Sequence, residues 1–404
     1  MDALETLRRR GFVQQITHEE ELAEQLSAGV VTYYAGFDPT ADSLHVGHLL
    51  PVMAMSWLQR AGHRPIAVVG GGTAMVGDPS GKTELRQMLS EADIRSNALA
   101  MKAQLSHFLD FGAEGAGLMV DNAEWLLELN YIAFLREIGR EFSVNRMLAA
   151  EAYKLRLEQN QGLSFIEFNY QLLQSYDFLE LNRRYGCTLQ IGGDDQWGNI
   201  VAGTDLIRRK TGGRAYGLTQ PLITTATGAK MGKTAKGAVW LDPDRLSPFD
   251  YYQYWLNVDD ADVGRMLRFY TFLELDRIAE LEALQGASIR EAKRVLAFEA
   301  TTLVHGEDEA RKAESGAVAM VSGAASEDLP SHAISEPTAL VAVLADAGLV
   351  KSRGEARRMV QQGGVKLDSE KVSDAELVLD PDSLGADGVV ARVGKKRAVR
   401  VVAA

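Results

Sequence analysis

Residues Tyr33–His48 read YYAGFDPTADSLHVGH and are the most informative stretch of this 404-residue chain. An apolar strand leads into a short polar loop, and the loop leads into a helix that opens with His45 and His48. Because residues three apart share one face of a helix, both imidazoles face the same spot. The first turn of a helix also favours an anion, since it carries free N–H groups and the positive end of the dipole. We therefore expect a nucleotide phosphate to bind here, with Gly47 admitting a planar base.

The alternative is that both histidines simply face solvent at the start of a helix. It is the weaker interpretation because the chain has only 7 histidines, and two of them fall in this one turn.

Strands and helices alternate on both sides of this stretch, which is typical of a parallel α/β sheet. We predict strands over Val30–Phe37 and Pro65–Gly70, with a helix over Leu44–Ala61 between them. The pattern returns with a helix over Phe165–Leu181 and a strand over Thr188–Ile191. Ligands of such sheets bind at the carboxyl ends of the strands, where glycines 70–72 also lie.

The composition is that of an ordinary globular protein, with 46% hydrophobic and 24% charged residues. The single cysteine, Cys187, excludes a disulfide framework and a cysteine-based zinc site, and we expect it to be a buried structural thiol. The acidic start lacks the apolar core of a targeting peptide, and no long apolar run is present. We therefore expect a cytoplasmic protein without a membrane span.

Charge is distributed unevenly along the chain, whose net charge is −12. Residues 337–404 hold 11 Lys and Arg against 9 Asp and Glu, a net of +2, so the remaining 336 residues carry −14. This asymmetry indicates a C-terminal module with its own task.

Composition and periodicity suggest four segments. We expect a catalytic domain over residues 1–226, with a helical insertion at about 90–163, and a lysine-containing loop followed by a helical domain over 227–318. A linker rich in Ala, Ser and Gly follows over 319–336, and a small domain of short helices and strands occupies 337–404.

Two further loops carry candidate chemistry. The stretch Gly77–Thr83 looks like a P-loop, but only three residues separate Gly77 from Gly81, so we reject that motif. Asp78, Lys82 and Arg86 remain as charged residues near the strand ends.

The other loop, Thr227–Thr234, reads TGAKMGKT and carries Lys230 and Lys233. Lysines on such loops are usually only solvated, but paired with the histidine helix they fit a mobile clamp that stabilises charge on a phosphate.

A third motif, Ile191–Asn199, reads IGGDDQWGN and follows a predicted strand. A carboxylate at this position can accept hydrogen bonds from both hydroxyls of a ribose. A tight turn with an Asp helix cap explains one of the two aspartates equally well, but not both.

These blocks together resemble a known family. His45–His48 and Lys230–Thr234 resemble the paired HIGH and KMSKS signatures of class I aminoacyl-tRNA synthetases, although Val46 replaces Ile and Gly232 and Thr234 vary the second signature. Residues 36–44 and 190–199 resemble the bacterial tyrosyl-tRNA synthetases, and Lys351–Val365 is similar to an S4-type RNA-binding domain.

The resemblance implies an architecture. It predicts a Rossmann-like parallel-sheet catalytic domain with a helical insertion, followed by an α-helical domain and a small α+β S4-like domain.

The resemblance also implies a two-step reaction, in which L-tyrosine is activated with ATP and then transferred to the 3′ end of tRNA(Tyr). The residues implied in catalysis are Thr40, His45, His48, Lys82, Arg86, Lys230 and Lys233. ATP is implied to contact Asp38, Gly47, Gly193, Asp195 and Lys233. Mg²⁺ is expected to arrive with ATP, without a dedicated metal site in the protein.

The tyrosine pocket follows by the same resemblance. Tyr34 and Asp177 are implied to bind the phenolic hydroxyl, and Asp78, Tyr170 and Gln174 to hold the ammonium group. Gln196 is implied to bind tyrosine as well. Tyr170, Gln174 and Asp177 recur at steps of four and three, so they share one helix face. A buried polar patch satisfied only by its own residues is the structural alternative.

For RNA, the cations at 208–210 are candidates for phosphate contacts, or for pairing with the end of their own helix. The tail adds a second set that fits structured RNA: Arg353, Arg357, Arg358, Lys395, Lys396 and Arg397. A homodimer is expected from the resemblance alone.

Three other functions stay open from the sequence. They are a tryptophanyl-tRNA synthetase, a small-molecule nucleotidylyltransferase and a non-catalytic RNA-binding protein derived from a synthetase. The S4-like tail and the Tyr34/Asp177 pair argue against the first, and the lysine loop and tail against the second. Retention of all histidines and lysines argues against the third.

Overall fold

The structure is a computed structural model that describes residues 2–79, 89–112, 116–158, 162–224, 232–234, 237–322, 329–368, 370–385, 388–394 and 397–404. It divides into two compact units. Unit 1 comprises Met1–Arg245 and Asp259–Leu284, and unit 2 comprises Leu246–Val258 and Gln285–Ala404.

The strands are numbered in chain order. They are β1 Gln15–Ile16, β2 Thr32–Phe37, β3 Arg64–Val69, β4 Leu118–Asp121, β5 Leu189–Gly193, β6 Tyr216–Gln220, β7 Lys233–Thr234, β8 Gly237–Ala238, β9 Ser331–Ile334, β10 Thr338–Ala339, β11 Val365–Leu367, β12 Glu370–Lys371, β13 Val378–Leu379, β14 Val389–Val393 and β15 Arg397–Ala403.

The α-helices are numbered in the same way. They are α1 Ala3–Arg10, α2 Glu19–Ala28, α3 Val46–Arg60, α4 Glu91–Leu105, α5 Ala123–Leu126, α6 Tyr131–Glu137, α7 Val144–Leu148, α8 Glu151–Glu158, α9 Phe165–Phe168, α10 Tyr170–Tyr185, α11 Trp197–Thr211, α12 Pro248–Leu256, α13 Val263–Tyr270, α14 Leu275–Glu282, α15 Ile289–His305, α16 Glu307–Ser322, α17 Leu340–Asp346 and α18 Arg353–Gln361. None of these described helices combines the length and apolar character needed to cross a membrane.

Unit 1 is built on a six-stranded sheet of order β1-β6-β5-β2-β3-β4. Five strands are parallel, and only the short β1 runs antiparallel, to β6. The chain proceeds outward from β2 to β3 and β4 on one side, and from β5 to β6 on the other. The neighbours β2 and β5 therefore flank the topological switch point, where open α/β sheets bind their ligands. The predicted Rossmann-like parallel sheet is confirmed.

Helices α3, α4 and α11 pack against the sheet, and β3 and β6 are buried along almost their whole length. Ile66 and Val68 on β3 are buried with Phe178 and Leu181 of α10. Cys187 lies in the same core and is fully buried, as predicted.

Two helix predictions differ in detail. The helix predicted over Leu44–Ala61 begins at Val46, so that His45 is its N-cap and not part of its first turn. The helix predicted over Phe165–Leu181 is divided at Asn169, because a capping box of Ser164 and Glu167 starts a separate short helix.

The region predicted as one helical domain over 227–318 is shared between the units. Helices α13 and α14 pack within unit 1, where Phe269 contacts Phe12 with ring centroids 5.2 Å apart. Arg10 stabilises this arrangement, since its guanidinium donates to the carbonyls of Arg268 and Thr271 at 3.2 Å each. The sequence pattern did not predict this return of the chain, because it depends on contacts about 260 residues apart.

Unit 2 combines the helices α12, α15 and α16 with a five-stranded sheet of order β12-β11-β14-β15-β9. The predicted linker over 319–336 requires correction, because α16 extends to Ser322 and β9 pairs in parallel with β15. The buried Arg392 donates to the carbonyls of Ala319 and Met320 and so joins the end of α16 to β14.

Candidate active site

A cavity of about 700 Å³ opens at the carboxyl ends of β2 and β5, at the switch point of the sheet. Its lining contains 13 of the residues that the sequence nominated for catalysis, tyrosine binding or ATP binding. They are Tyr34, Asp38, Thr40, His45, Gly47, His48, Asp78, Tyr170, Gln174, Asp177, Gly193, Asp195 and Gln196.

The two histidines form a reciprocal cap at the start of α3. His45 Nδ1 accepts from Gly47 N at 3.0 Å, and His48 Nδ1 accepts from His45 N at 3.1 Å. The rings stack with centroids 3.9 Å apart and planes 26° apart. Because both Nδ1 atoms accept, a neutral ring must carry its proton on Nε2. Each neutral imidazole is therefore a donor at Nε2.

The end of the lysine loop lies against this helix start. Gly232 has a φ of +80°, and a Cβ atom there would lie 3.0 Å from Gly47 N. Residues after it pair with the segment before α3, since Val46 N donates to Val239 O at 2.9 Å. The backbones of the two predicted signatures therefore meet, although their intervening sequence is long.

The cavity lining also contains Tyr34 and Asp177. The Tyr34 hydroxyl is buried and finds no hydrogen-bond partner among the described residues. Asp177 is also buried, and it accepts from Trp125 Nε1 at 2.7 Å and from Asn122 Nδ2 at 2.9 Å. Burial raises the pKa of Asp177 to about 7, although these two hydrogen bonds oppose the shift. Burial, with the nearby Asp177 charge, also raises the pKa of Tyr34 well above its usual value, so its hydroxyl remains a donor.

Asp38 is held by polar side chains of the cavity lining. Asp38 accepts from Thr73 Oγ1 at 2.9 Å and from Tyr170 Oη at 3.2 Å. Gly70 makes room for this carboxylate, because a Cβ atom at residue 70 would lie 2.2 Å from Asp38 Oδ1.

A second group of hydrogen bonds joins the loop after β3 to α10 and α11. Gln196 Nε2 donates to Asp78 Oδ2 at 2.7 Å. Asn199 Nδ2 donates to Gln174 Oε1 at 3.0 Å and to Gln196 Oε1 at 3.1 Å. This side of the cavity therefore presents carboxylate and amide oxygens, which suit an ammonium group.

The two neighbouring aspartates after β5 have different environments. Asp194 accepts from Gln15 Nε2 at 2.7 Å and from Thr219 Oγ1 at 2.8 Å, so it ties the loop to β1 and β6. Asp195 lines the cavity. Asp194 therefore has a structural role, although not that of the predicted helix cap, and the ligand-binding hypothesis remains for Asp195.

Some nominated residues lie outside the described part of the chain, namely Lys82, Arg86, Lys230, Lys395 and Lys396, and only the backbone of Lys233 is described. Within the described residues, no group of three or more His, Cys, Asp or Glu side chains is placed to hold a metal ion.

The candidate RNA-binding cations of α11 have protein partners. Arg208 and Arg209 pair with Asp205 at 3.0 and 3.3 Å. Lys210 donates to the Glu137 carbonyl at 3.2 Å. These contacts favour a structural role for Arg209 and Lys210 over the RNA hypothesis, whereas Arg208 is 64% exposed.

The described tail cations lie on α18 and β15 of unit 2. Arg353, Arg357 and Arg358 are exposed on α18, where Arg353 pairs with Asp346 at 3.8 Å and Arg357 pairs with Glu376. Arg397 is exposed on β15 and donates to the Leu349 carbonyl.

Several site residues were missed from the sequence. Thr73, Asn122 and Trp240 line the cavity, and Trp125 donates a hydrogen bond to Asp177. Asn122 directly follows β4, so the rule that ligands bind at carboxyl ends of strands could have found it. Trp240 and Trp125 follow no such signal.

Comparisons with known proteins agree with this geometry. The family described as "tRNA synthetases class I (W and Y)" matches residues 27–322, and the "Tyrosine--tRNA ligase SYY-like C-terminal domain" matches residues 321–401. A curated tyrosine–tRNA ligase of Clostridium botulinum (strain 657 / Type Ba4) is 53% identical over 100% of this chain and 99% of its own length. That of Clostridium tetani is 51% identical over 99% of each chain.

The chain belongs to the tyrosine–tRNA ligase family of class I aminoacyl-tRNA synthetases.

Solved structures of the family show the same fold. A C-terminally truncated mitochondrial tyrosyl-tRNA synthetase of Aspergillus nidulans superposes with a TM-score of 0.69 at 30% identity, over 78% of this chain and 92% of that one. A tryptophanyl-tRNA synthetase of Encephalitozoon cuniculi, at 13% identity and a TM-score of 0.57, shares the fold alone. The expected family and its mixed α/β architecture are confirmed.

Proposed function

We propose that this cavity catalyses both steps of tyrosine–tRNA ligation. In the first step the carboxylate of L-tyrosine attacks the α-phosphorus of ATP, which forms tyrosyl-adenylate and releases pyrophosphate. In the second, a terminal hydroxyl of tRNA(Tyr) attacks the adenylate. The observation that carries the proposal is the buried pair of Tyr34 and Asp177 in the lining of the same cavity as two stacked histidines.

A phenolic hydroxyl fits between Tyr34 and Asp177. The Tyr34 hydroxyl remains protonated and can donate to the phenol oxygen, while Asp177 can accept the phenol proton. A ligand without this hydroxyl, such as phenylalanine, would leave both buried groups unpaired. Tyrosyl-tRNA synthetases are the standard example of this kind of discrimination.

The ammonium group of tyrosine fits the next part of the cavity. Asp78, Tyr170, Gln174 and Gln196 supply oxygen acceptors there, and all four are already held by neighbouring side chains. Fixed acceptors lose little entropy when the substrate binds, so the site is preorganised.

ATP fits the part of the cavity that is lined by the two histidines. His45 and His48 supply Nε2–H donors to the phosphates beside Thr40, and Gly47 leaves room for adenine. Asp195 is suited to the ribose hydroxyls and Asp38 to orientation of the adenylate. Lys82, Arg86, Lys230 and Lys233 are proposed to neutralise the pyrophosphate by family resemblance.

Attack on the α-phosphorus requires no protein nucleophile. The reaction is accelerated by holding the tyrosine carboxylate in line with the leaving group and by donors aimed at the developing charge. Mg²⁺ enters as part of the ATP substrate complex and neutralises phosphate charge.

The proposal includes a homodimer. In residues 127–166, several large apolar side chains are between 45% and 69% exposed, namely Leu127, Tyr131, Ile132, Val144, Leu157, Phe165 and Ile166. A concentration of this kind is more typical of a protein interface than of free surface. Sedimentation should give about twice the chain mass of 44.1 kDa.

The RNA partner is assigned to the tail. Arg353, Arg357, Arg358, Lys395, Lys396 and Arg397 are proposed to contact tRNA phosphates, with Arg208 as a candidate on unit 1. A cytoplasmic location is proposed because the bacterial relatives are tRNA ligases.

One assay tests the proposed function. ATP–pyrophosphate exchange is measured with each standard amino acid in turn, and we expect exchange with tyrosine only. Exchange driven by tryptophan would support the tryptophanyl alternative, and exchange without any amino acid would support a nucleotidylyltransferase. Absence of exchange with all of them would support the non-catalytic alternative.

A further inference from the structure

Trp240 lies directly opposite His45 in a short antiparallel pairing. The hydrogen bonds on either side are Val46 N to Val239 O and Leu241 N to Leu44 O, both 2.9 Å. Opposed residues flanked in this way form a non-hydrogen-bonded pair, in which the side chains approach most closely. The indole accordingly meets the His45 ring edge to face, with centroids 6.0 Å apart and planes 64° apart. Trp240 therefore directly contacts one member of the stacked histidine pair.

The indole is held in turn by Arg245. The Arg245 Cζ atom lies 3.8 Å from the centre of the Trp240 ring, and Arg245 Nη1 pairs with Asp42 Oδ1 at 2.5 Å. The Arg245 and Asp42 side chains are 36% and 61% exposed. A continuous row of contacting side chains thus runs from the protein surface, through Arg245 and Trp240, to the imidazoles in the cavity.

The backbone around Trp240 is fixed independently. Ser43 Oγ accepts from Asp242 N at 3.2 Å and from Gln104 Nε2 at 3.1 Å. Gln104 Oε1 also accepts from Leu44 N at 2.7 Å. The segments that carry Trp240 and His45 are therefore held in register, so the indole has a defined position relative to the ring.

We propose that Trp240, held by Arg245 and Asp42, is a positioning residue that fixes the His45–His48 stack for the ATP phosphates. Backbone N–H groups already occupy both Nδ1 atoms, which sets the tautomers but does not by itself stop the rings from tilting. The indole supplies a wall beside His45. The inference rests on the proposed function in one respect only, namely that the ligand of these imidazoles is ATP.

The chain offers a matched control. Arg60, at the other end of α3, also places its guanidinium 3.8 Å from an aromatic ring, that of Phe272. Arg60 is exposed and lies outside the cavity lining. Arg245→Ala and Arg60→Ala therefore each remove a guanidinium from an aromatic ring, but only the ring under Arg245 contacts the histidine pair.

The experiment compares Trp240→Leu, Trp240→Phe, Arg245→Ala and Arg60→Ala with the native chain. Three quantities are measured: the single-turnover rate of adenylate formation, the Kd for tyrosine, and the NMR signals of isotope-labelled imidazoles, assigned by His→Gln variants. Loss of one edge-to-face contact predicts a rate about 3- to 10-fold lower for Trp240→Leu, with the tyrosine Kd within about twofold. Trp240→Phe should restore most of the rate, Arg245→Ala should lower it by about 2- to 3-fold, and Arg60→Ala should leave it unchanged.

The imidazole signals decide the proposal independently of activity. Trp240→Leu removes the indole ring current from the histidines whatever its role, but Arg245→Ala keeps the indole, so shifted His45 and His48 signals in Arg245→Ala require that the two rings have moved. We expect both to shift in Trp240→Leu and in Arg245→Ala, and neither in Arg60→Ala. An unchanged His48 signal, or equal rate losses in the two Arg variants, would overturn the proposal. If Trp240→Leu does not fold, Arg245→Ala decides by the same signals. A native chain without tyrosine-dependent exchange would refute the proposed function alone.

Discussion

Trp125 Nε1 donates a 2.7 Å hydrogen bond to Asp177 Oδ1, although the two residues are 52 positions apart in the chain. Asn122 donates to the other carboxylate oxygen at 2.9 Å. Both oxygens are thus oriented before any substrate binds, and one remaining lone-pair direction on each is available to a phenol. The group that would select tyrosine is therefore a buried carboxylate whose orientation is fixed and whose charged form is destabilised by burial.

The raised pKa of Asp177 predicts a pH-dependent affinity for tyrosine. With a pKa of about 7, the carboxyl becomes protonated as the pH falls through 7, and the neutral acid is a weaker acceptor for the phenol proton than the carboxylate. The Kd for tyrosine, measured without ATP by calorimetry, should therefore rise as the pH falls from 7.5 to 5.5, by less than the tenfold per pH unit that complete loss of binding to the protonated form would give. A flat profile would contradict the assignment.

Asp177→Asn is the control for this titration and has a consequence for stability. The folded-state pKa lies above the ordinary value of 3.8, so the folded state binds more protons than the unfolded state between these values. The free energy of unfolding of the native chain should carry a component that decreases as the pH rises towards 7. Asp177→Asn lacks that component, and urea unfolding at several pH values measures the difference.

Tyr34→Phe should separate selectivity from stability. The Tyr34 hydroxyl is buried without a described partner, so its removal costs the unliganded fold no hydrogen bond. Tyrosine binding should weaken by about 3- to 10-fold, the value of one hydrogen bond, while phenylalanine binding improves or stays constant. Thermal unfolding and the two Kd values test this. A loss of Tm with unchanged selectivity would assign the hydroxyl a purely structural role.

Much of the site could be predicted because its motifs directly follow strands. Asp38 follows β2 and Asp195 follows β5, and in a parallel sheet the carboxyl ends of neighbouring strands meet at one edge. The face of α10 was equally legible, since helical spacing alone brings Tyr170, Gln174 and Asp177 to one side.

What could not be predicted depends on contacts between distant parts of the chain. The pairing of β9 with β15 follows from a parallel register that no local pattern encodes. The return of α13 to unit 1 depends on Arg10 and Phe12, near the start of the chain. Trp240 reaches His45 only because a short segment after the lysine loop pairs with the segment before α3.

Gly232→Ala should slow adenylate formation. Gly232 has a φ of +80°, and an added Cβ would lie 3.0 Å from Gly47 N, so the substitution strains the backbone and presses on the start of α3. Gly212→Ala is the matched control, because its φ is +71° but nothing lies within 4 Å of an added Cβ. We expect a single-turnover rate about tenfold lower for Gly232→Ala, with an unchanged tyrosine Kd. Equal rate losses in both variants would attribute the effect to general destabilisation.

Arg358→Ala should weaken tRNA charging without affecting tyrosine activation. Arg358 is exposed on α18, and among the described residues no acidic side chain pairs with it, whereas its neighbour Arg357 pairs with Glu376. If Arg358 contacts a tRNA phosphate, its loss should raise the KM for tRNA several-fold and reduce the salt dependence of binding by about one ion. Arg311→Ala is the control, because Arg311 is exposed on α16 and paired with Glu307. ATP–pyrophosphate exchange should be unaffected in both variants. An unchanged salt slope for Arg358→Ala would place the RNA footprint on other cations of the tail.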